Sequence, residues 1–112
     1  MLPKKYRAKR SDIEETIKKG IIIPSMFLYA KISKKEKEKP SFAIIISKKT
    51  EKNSVGRHLI KRRINAVLEN NLKNINPNFK KALIFFVKKS KKPISYYEIE
   101  KNVKEIIKKA GL

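Results

Sequence analysis

Five arginines occur in the chain, and three of them, Arg57, Arg62 and Arg63, fall within one stretch, Ser54 to Leu72 (S-V-G-R-H-L-I-K-R-R-I-N-A-V-L-E-N-N-L). Elsewhere positive charge is supplied almost wholly by lysine. Lysine is a solvated point charge, whereas the planar guanidinium can grip phosphate bidentately and stack on bases. Arg57 and Lys61 stand four residues apart, so helical spacing brings these cations together, and His58 and Arg62 share the same spacing. Such a set suits a polyanion. It does not suit self-contained catalysis: His58 is the only histidine, cysteine is absent, and the ten acids are scattered. No acid–base constellation, metal-ligand spacing or glycine-rich phosphate loop can be assembled from them. An ordinary solvated helix face is the plainer reading, and the concentration of arginine weighs against it.

The whole-chain charge points the same way. A formal net charge of +20 exceeds what solubility requires and repels itself in a compact state. Nucleic acid is the natural counter-partner. A membrane surface fits less well, because no stretch pairs a basic face with a large apolar one. No apolar run approaches the ~20 residues that span a bilayer. The start, M-L-P-K-K-Y-R, lacks the apolar core of a signal peptide, and the lack of cysteine is compatible with the cytoplasm. At 112 residues the chain is expected to form a single domain, 1–112, with residues 1–10 as a basic N-terminal arm.

Several elements must position the cations. Ser11 reads as an N-cap with Glu14 completing a capping box, opening a helix that ends at Gly20 and offers Ile13 and Ile17 as its apolar face. Ile21 to Ile23, ending at Pro24, reads as a short edge strand or extended segment. In M-F-L-Y-A-K-I (26–32), period two places Met26, Leu28, Ala30 and Ile32 on one face and Phe27, Tyr29 and Lys31 on the other. S-F-A-I-I-I-S-K-K (41–49) is apolar on both faces and reads as a central strand that delivers Lys48 and Lys49. Asn53 or Ser54 can cap the arginine-bearing helix, whose Ile60, Ile64, Val67 and Leu68 form the core stripe. His58, Arg62, Asn65 and Glu69 are expected on the opposite side. Ala82 to Val87 is a second two-sided strand, followed by the lysine-rich turn K-K-S-K-K-P. Ser95 and Glu98 form a capping box on a last helix with a stripe of Ile99, Val103, Ile106, Ile107 and Ala110, ended by Gly111. The order is α-β-β-β-α-β-α, an α+β fold: a small α/β sandwich with a mixed sheet of about four strands and three helices.

With these elements in place the chain resembles the bacterial ribonuclease P protein subunit over nearly its whole length. A-I-I-I-S-K-K (43–49) is similar to the family's strand ending in S-K-K, and S-V-G-R-H-L-I-K-R-R-I resembles its A-V-x-R-N-R-x-K-R-x-I-R helix. The D-x-x-x-x-x-x-x-G helix (Asp12 to Gly20) and the F-L-Y strand match as well. The resemblance implies a left-handed β-α-β crossover, of the kind also seen in the second domain of a small-subunit ribosomal protein. It implies a monomeric protein in a 1:1 complex with ribonuclease P RNA. That RNA, with bound Mg²⁺, would remove the 5′ leader from precursor tRNA by endonucleolytic cleavage, the protein alone being non-catalytic. Arg57, Lys61 and Arg62 match signature cations, Lys48 and Lys49 the S-K-K pair, and Tyr29 a cleft aromatic. RNA contacts are thus expected from Arg57, His58, Lys61, Arg62, Arg63, Lys48 and Lys49. A leader cleft is expected from Tyr29, Phe27, Ile13, Ile17, Ala43, Ile45 and Ser47.

Departures from the pattern are specific. His58 stands where the family has asparagine, Leu59 and Asn65 replace arginines, and Ile13 and Ile17 replace phenylalanines. Arg63 stands where the family is usually apolar. Two other functions compete: a structural RNA-binding protein of ribosomal type, which would share the charge, and a self-sufficient nuclease, which the missing acid–base cluster disfavours.

Overall fold

The computed structural model describes residues 2–89 and 94–112. Three helices, α1 (Arg10–Lys19), α2 (Ser54–Leu72) and α3 (Tyr96–Ala110), join four strands, β1 (Ile21–Pro24), β2 (Leu28–Ile32), β3 (Ser41–Ile45) and β4 (Ala82–Val87). The expected lysine-rich turn falls partly on residues 90–93, outside the described residues. The strands form one mixed sheet in the order β1-β2-β4-β3. The β1–β2 and β2–β4 pairs are antiparallel and β3–β4 is parallel, with α2 as the connection between the parallel neighbours.

Alternation along the strands assigns the two sheet faces. Leu28, Ala30, Leu83, Phe85, Phe42 and Ile44 are buried in one cluster with Ile64, Val67 and Leu68 of α2 and Ile99, Val103 and Ile106 of α3. Tyr29 and Lys31 point the other way, toward α1: Lys31 Nζ donates to the carbonyl of Ile17 at 2.8 Å. The molecule is therefore three layers, with α2 and α3 closing one face and α1 only part of the other.

Local chemistry explains most boundaries. Asn53 accepts from the Val55 N–H to cap α2, a contribution of about 1 kcal/mol. Ser95 and Glu98 form the expected capping box, and Gly111 takes the left-handed conformation (φ 86°) that ends α3. Gly20 is needed for a different reason: a Cβ there would run into the carbonyl oxygens of Thr16 and Ile32.

Four expectations are corrected. The N-cap of α1 is Lys9, not Ser11; its carbonyl accepts from the Ile13 N–H, and Glu14 pairs instead with Arg10 at 3.3 Å. The helix starts early because the preceding residues are already fixed on β3, through an Arg7–Phe42 bridge and the Ala8 N–H on the Phe42 carbonyl. For the same reason residues 2–8 are no free arm: Leu2 is buried and the Tyr6 ring lies 6.2 Å from Phe42. β3 is an edge strand of the sheet, with that docked segment lying along its outer side, while β2 and β4 are the strands paired on both sides. Met26 lies in the bend before β2 and is 76% exposed, so it does not share the core face of Leu28.

Candidate nucleic-acid interface

The half-open sheet face carries a row of side chains across three strands. Register places Tyr29 beside Phe86 and Phe86 beside Ile45, with Lys31, Ile84 and Ala43 forming the next row. The Tyr29 and Phe86 rings are parallel to within 8° with centroids 4.9 Å apart. That spacing equals the distance between neighbouring strands, so the rings stand up from the sheet rather than lie on it. Lys31 Nζ sits 5.9 Å from the Phe86 ring centre and is held there by its bond to the end of α1. Phe86 escaped the sequence reading because A-L-I-F-F-V is apolar throughout, and alternation alone could not say which phenylalanine faced the site.

Beyond Ile45 the face drops into a cavity of about 320 Å³ between the docked N-terminal segment, α1, β3 and α2. Ile13, Ala43 and Ile45 form part of its apolar lining, and Arg7 and Lys61 bring a cation from each side. A second hollow of about 400 Å³ adjoins it between the end of β3 and the first turns of α2, lined by Ile45, Arg57, His58 and Lys61 among others. A third, of about 410 Å³, lies on the outer flank of α2 against His58, Lys61 and Arg62. Lys61 borders all three hollows, so the cationic helix face and the cleft form one continuous surface. Arg7, assigned from sequence only to a basic arm, enters the site because its segment docks.

The expected site residues divide accordingly. Ile13, Ala43, Ile45, Arg57, His58, Lys61 and Arg62 come together around these hollows. Lys48 and Lys49 are exposed on the turn after β3, which Thr50 ties to the end of β4 by donating to the Val87 carbonyl at 3.3 Å. Ser47 belongs to that turn rather than to the strand, and its hydroxyl lies 3.0 Å from that of Thr50. Ile17 is half-buried on α1, and Phe27 sits half-buried in the bend before β2, its N–H donating to Asn102 Oδ1 at 2.8 Å. Asn102 also accepts from Ser25 Oγ at 2.7 Å, so a buried amide of α3 fixes the entry to the aromatic strand.

Three helix positions differ from expectation. Asn65 is buried, lining the cavity beside Leu2, because the docked segment covers that flank of α2. Arg57 Nη1 donates to the carbonyls of Glu51 and Lys52 at 2.8 and 2.9 Å, so part of its fork organises the loop before the helix. Arg63 turns away from the cleft toward α3, its guanidinium 5.9 Å from the Tyr96 ring centre.

The cation-rimmed, apolar-floored cleft is suited to a flexible polyanion with stacking groups. Comparison with known proteins agrees in fold. The RNase P protein from Staphylococcus aureus superposes with a TM-score of 0.78 over 99% of this chain and 93% of that one, at 24% identity. A mutant of the S. aureus protein with defective mRNA degradation activity gives 0.79 at 24% identity, over 96% and 89%. The RNase P protein from Thermotoga maritima gives 0.76 at 13% identity, over 92% and 96%. No curated protein matches the chain. A family model described as Ribonuclease P matches residues 2–111. With fold, charge and nearly the whole length in agreement, the chain belongs to the Ribonuclease P family, as a protein subunit of the tRNA-processing ribonucleoprotein and partner of its RNA.

Proposed function

We propose that the protein holds the catalytic RNA with the outer face of α2 and takes the single-stranded 5′ leader of precursor tRNA into the adjoining cleft. The observation that carries this reading is the continuity at Lys61 of the apolar-floored cavity with the cationic helix face. A leader of variable sequence needs contacts that any nucleotide can make: phosphate neutralisation by Arg7, Lys61 and the Lys48–Lys49 turn, and base contact with Tyr29, Phe86 and Ile45. The cleft is lined by Arg7, Arg57 and Lys61, by apolar groups and by Ser54, His58 and Asn65, without a carboxylate, a set that fits phosphate and base rather than a divalent metal. Mg²⁺ and bond hydrolysis are accordingly assigned to the RNA, and the protein's part is to position. One protein per RNA, in the cytoplasm, completes the reading.

Tyr29→Ala tests it. Binding of leader-bearing precursor tRNA to the reconstituted holoenzyme should weaken by about 1–3 kcal/mol, while binding of mature tRNA stays unchanged. Equal losses on both would remove the leader from the cleft. The isolated protein should leave precursor tRNA intact, and added to its cognate RNA should lower the Mg²⁺ needed for cleavage.

A further inference from the structure

The two flanks of α2 are not alike. One borders the cleft. The other exposes apolar and aromatic groups that the reading above does not use: Val55 is 73% exposed and Leu59 43%, and across the α2–α3 junction Tyr96 and Tyr97 are 45% and 71% exposed. Val55, Leu59 and Arg63 follow one another at four-residue spacing, so they form one strip along the helix. Arg63 closes the strip against α3 by approaching the Tyr96 ring to 5.9 Å, within cation–π range. Arg62, exposed and three residues on from Leu59 along the helix, supplies a second guanidinium to the same strip.

Charge decides the kind of partner. α2 carries a single acid, Glu69, which lines the outer hollow with Arg62, against the cations Arg57, Lys61, Arg62 and Arg63. The two acids in the first turns of α3 are already engaged, Glu98 in the capping box with Ser95 and Glu100 with Lys104 at 3.3 Å. A second copy of a chain carrying +20 would be repelled from such a surface. Exposed rings flanked by arginines are what an unpaired nucleotide requires: a π-face for the base and a fork for its phosphate.

Resting on the reading that the outer face of α2 holds the catalytic RNA, we propose that this strip extends that face into a site, distinct from the leader cleft, which takes an unpaired nucleotide of the ribonuclease P RNA. The base stacks on Tyr96 and Tyr97 with Leu59 at its edge, and the adjoining phosphate is met by Arg62 and Arg63. Arg63 orients the Tyr96 ring and supplies charge, which gives this departure from the family pattern a role.

The test is binding of the purified protein to its cognate ribonuclease P RNA, without precursor tRNA, across a salt series and with chemical probing of unpaired bases. The double variant Tyr96→Ala, Tyr97→Ala should bind roughly fivefold or more weakly with an unchanged salt slope, and should lose protection of an unpaired nucleotide. The Tyr96→Phe, Tyr97→Phe variant should bind and protect as the wild type does, and Tyr29→Ala should leave this affinity and this protection unaltered. Leu59→Glu, at an exposed helical position, provides an independent disruption should the double variant fold poorly, and should lose the same protection. Wild-type affinity and protection in the alanine variant, or in Leu59→Glu where that variant replaces it, would overturn the proposal. So would loss of the same protection in Tyr29→Ala.

Discussion

Phe85 and Phe86 are neighbours on β4 and have opposite duties. Phe85 is fully buried between the sheet and the α2–α3 layer, while Phe86 is half-buried against Tyr29 on the face that α1 leaves partly open. One residue of register separates a position that builds the fold from one that presents the site. The closed face spends its apolar groups on burial, and the open face keeps aromatic surface, a tethered lysine and a cationic rim available to a ligand. A strand buried on both sides can serve both ends because its period of two divides them cleanly.

The largest expected effect tests that division. Phe85→Ala should cost about 3–5 kcal/mol of stability through a core cavity, measured by denaturant unfolding. Phe86→Ala should cost about 1–2 kcal/mol. It should weaken leader-bearing substrate more than mature tRNA, because Tyr29 loses the ring that holds it upright. If Phe86→Ala destabilises as much as Phe85→Ala, the open face is core and the comparison fails.

Arg57 and Arg62 sharpen the same contrast within α2. Arg62 is exposed, whereas Arg57 also holds two loop carbonyls. Arg62→Ala should leave the melting temperature unchanged and flatten the salt dependence of RNA binding by about one phosphate contact, a slope change of roughly 0.7–0.9. Arg57→Ala should lower both the melting temperature and the RNA affinity, since it releases the loop that sets the start of the helix. Equal melting temperatures for the two variants would separate Arg57 from loop organisation.

Much of this was legible in the residues themselves. The caps at Asn53 and Ser95, the stripes of α2 and α3 and the edge character of Ile21–Pro24 follow from local chemistry, which sequence encodes directly. What escaped depended on contacts between distant segments. The two-sided apolar run of β3 has the composition of a central strand, but its outer side is met by residues 2–8 rather than by another strand of the sheet. Residues 1–10 have no periodicity to announce that docking, so the cavity role of Arg7, the burial of Asn65 and the early start of α1 were hidden with it. Likewise, the charge of Arg63 could be read from sequence, but its direction depended on where α3 begins.

The smallest effect concerns how α1 is held over the open face. Lys37, on the loop between β2 and β3, lies 3.0 Å from Glu15 and 3.5 Å from Asp12, tying the helix to the far end of the sheet. Its hydrogen bond and charge hold the Glu15 carboxyl below the usual carboxylate range, and Glu15 in turn raises the Lys37 ammonium above its ordinary value of 10.5. A carboxylate lowered on folding stabilises the fold above its unfolded pKa, near 4.5, and that contribution fades as pH falls through the lowered folded value. The lysine has the opposite sign: its contribution is complete below 10.5 and is lost as pH rises through the raised value. Lys37→Met should therefore lower the denaturant midpoint slightly at neutral pH, and the difference from wild type should shrink once the acids protonate. Both groups are solvent-accessible, so added salt should shrink it as well. A difference that persists at acid pH and high salt would mean that Lys37 acts through packing of its aliphatic stem. α1 would then be seated on the open face by contact rather than by charge.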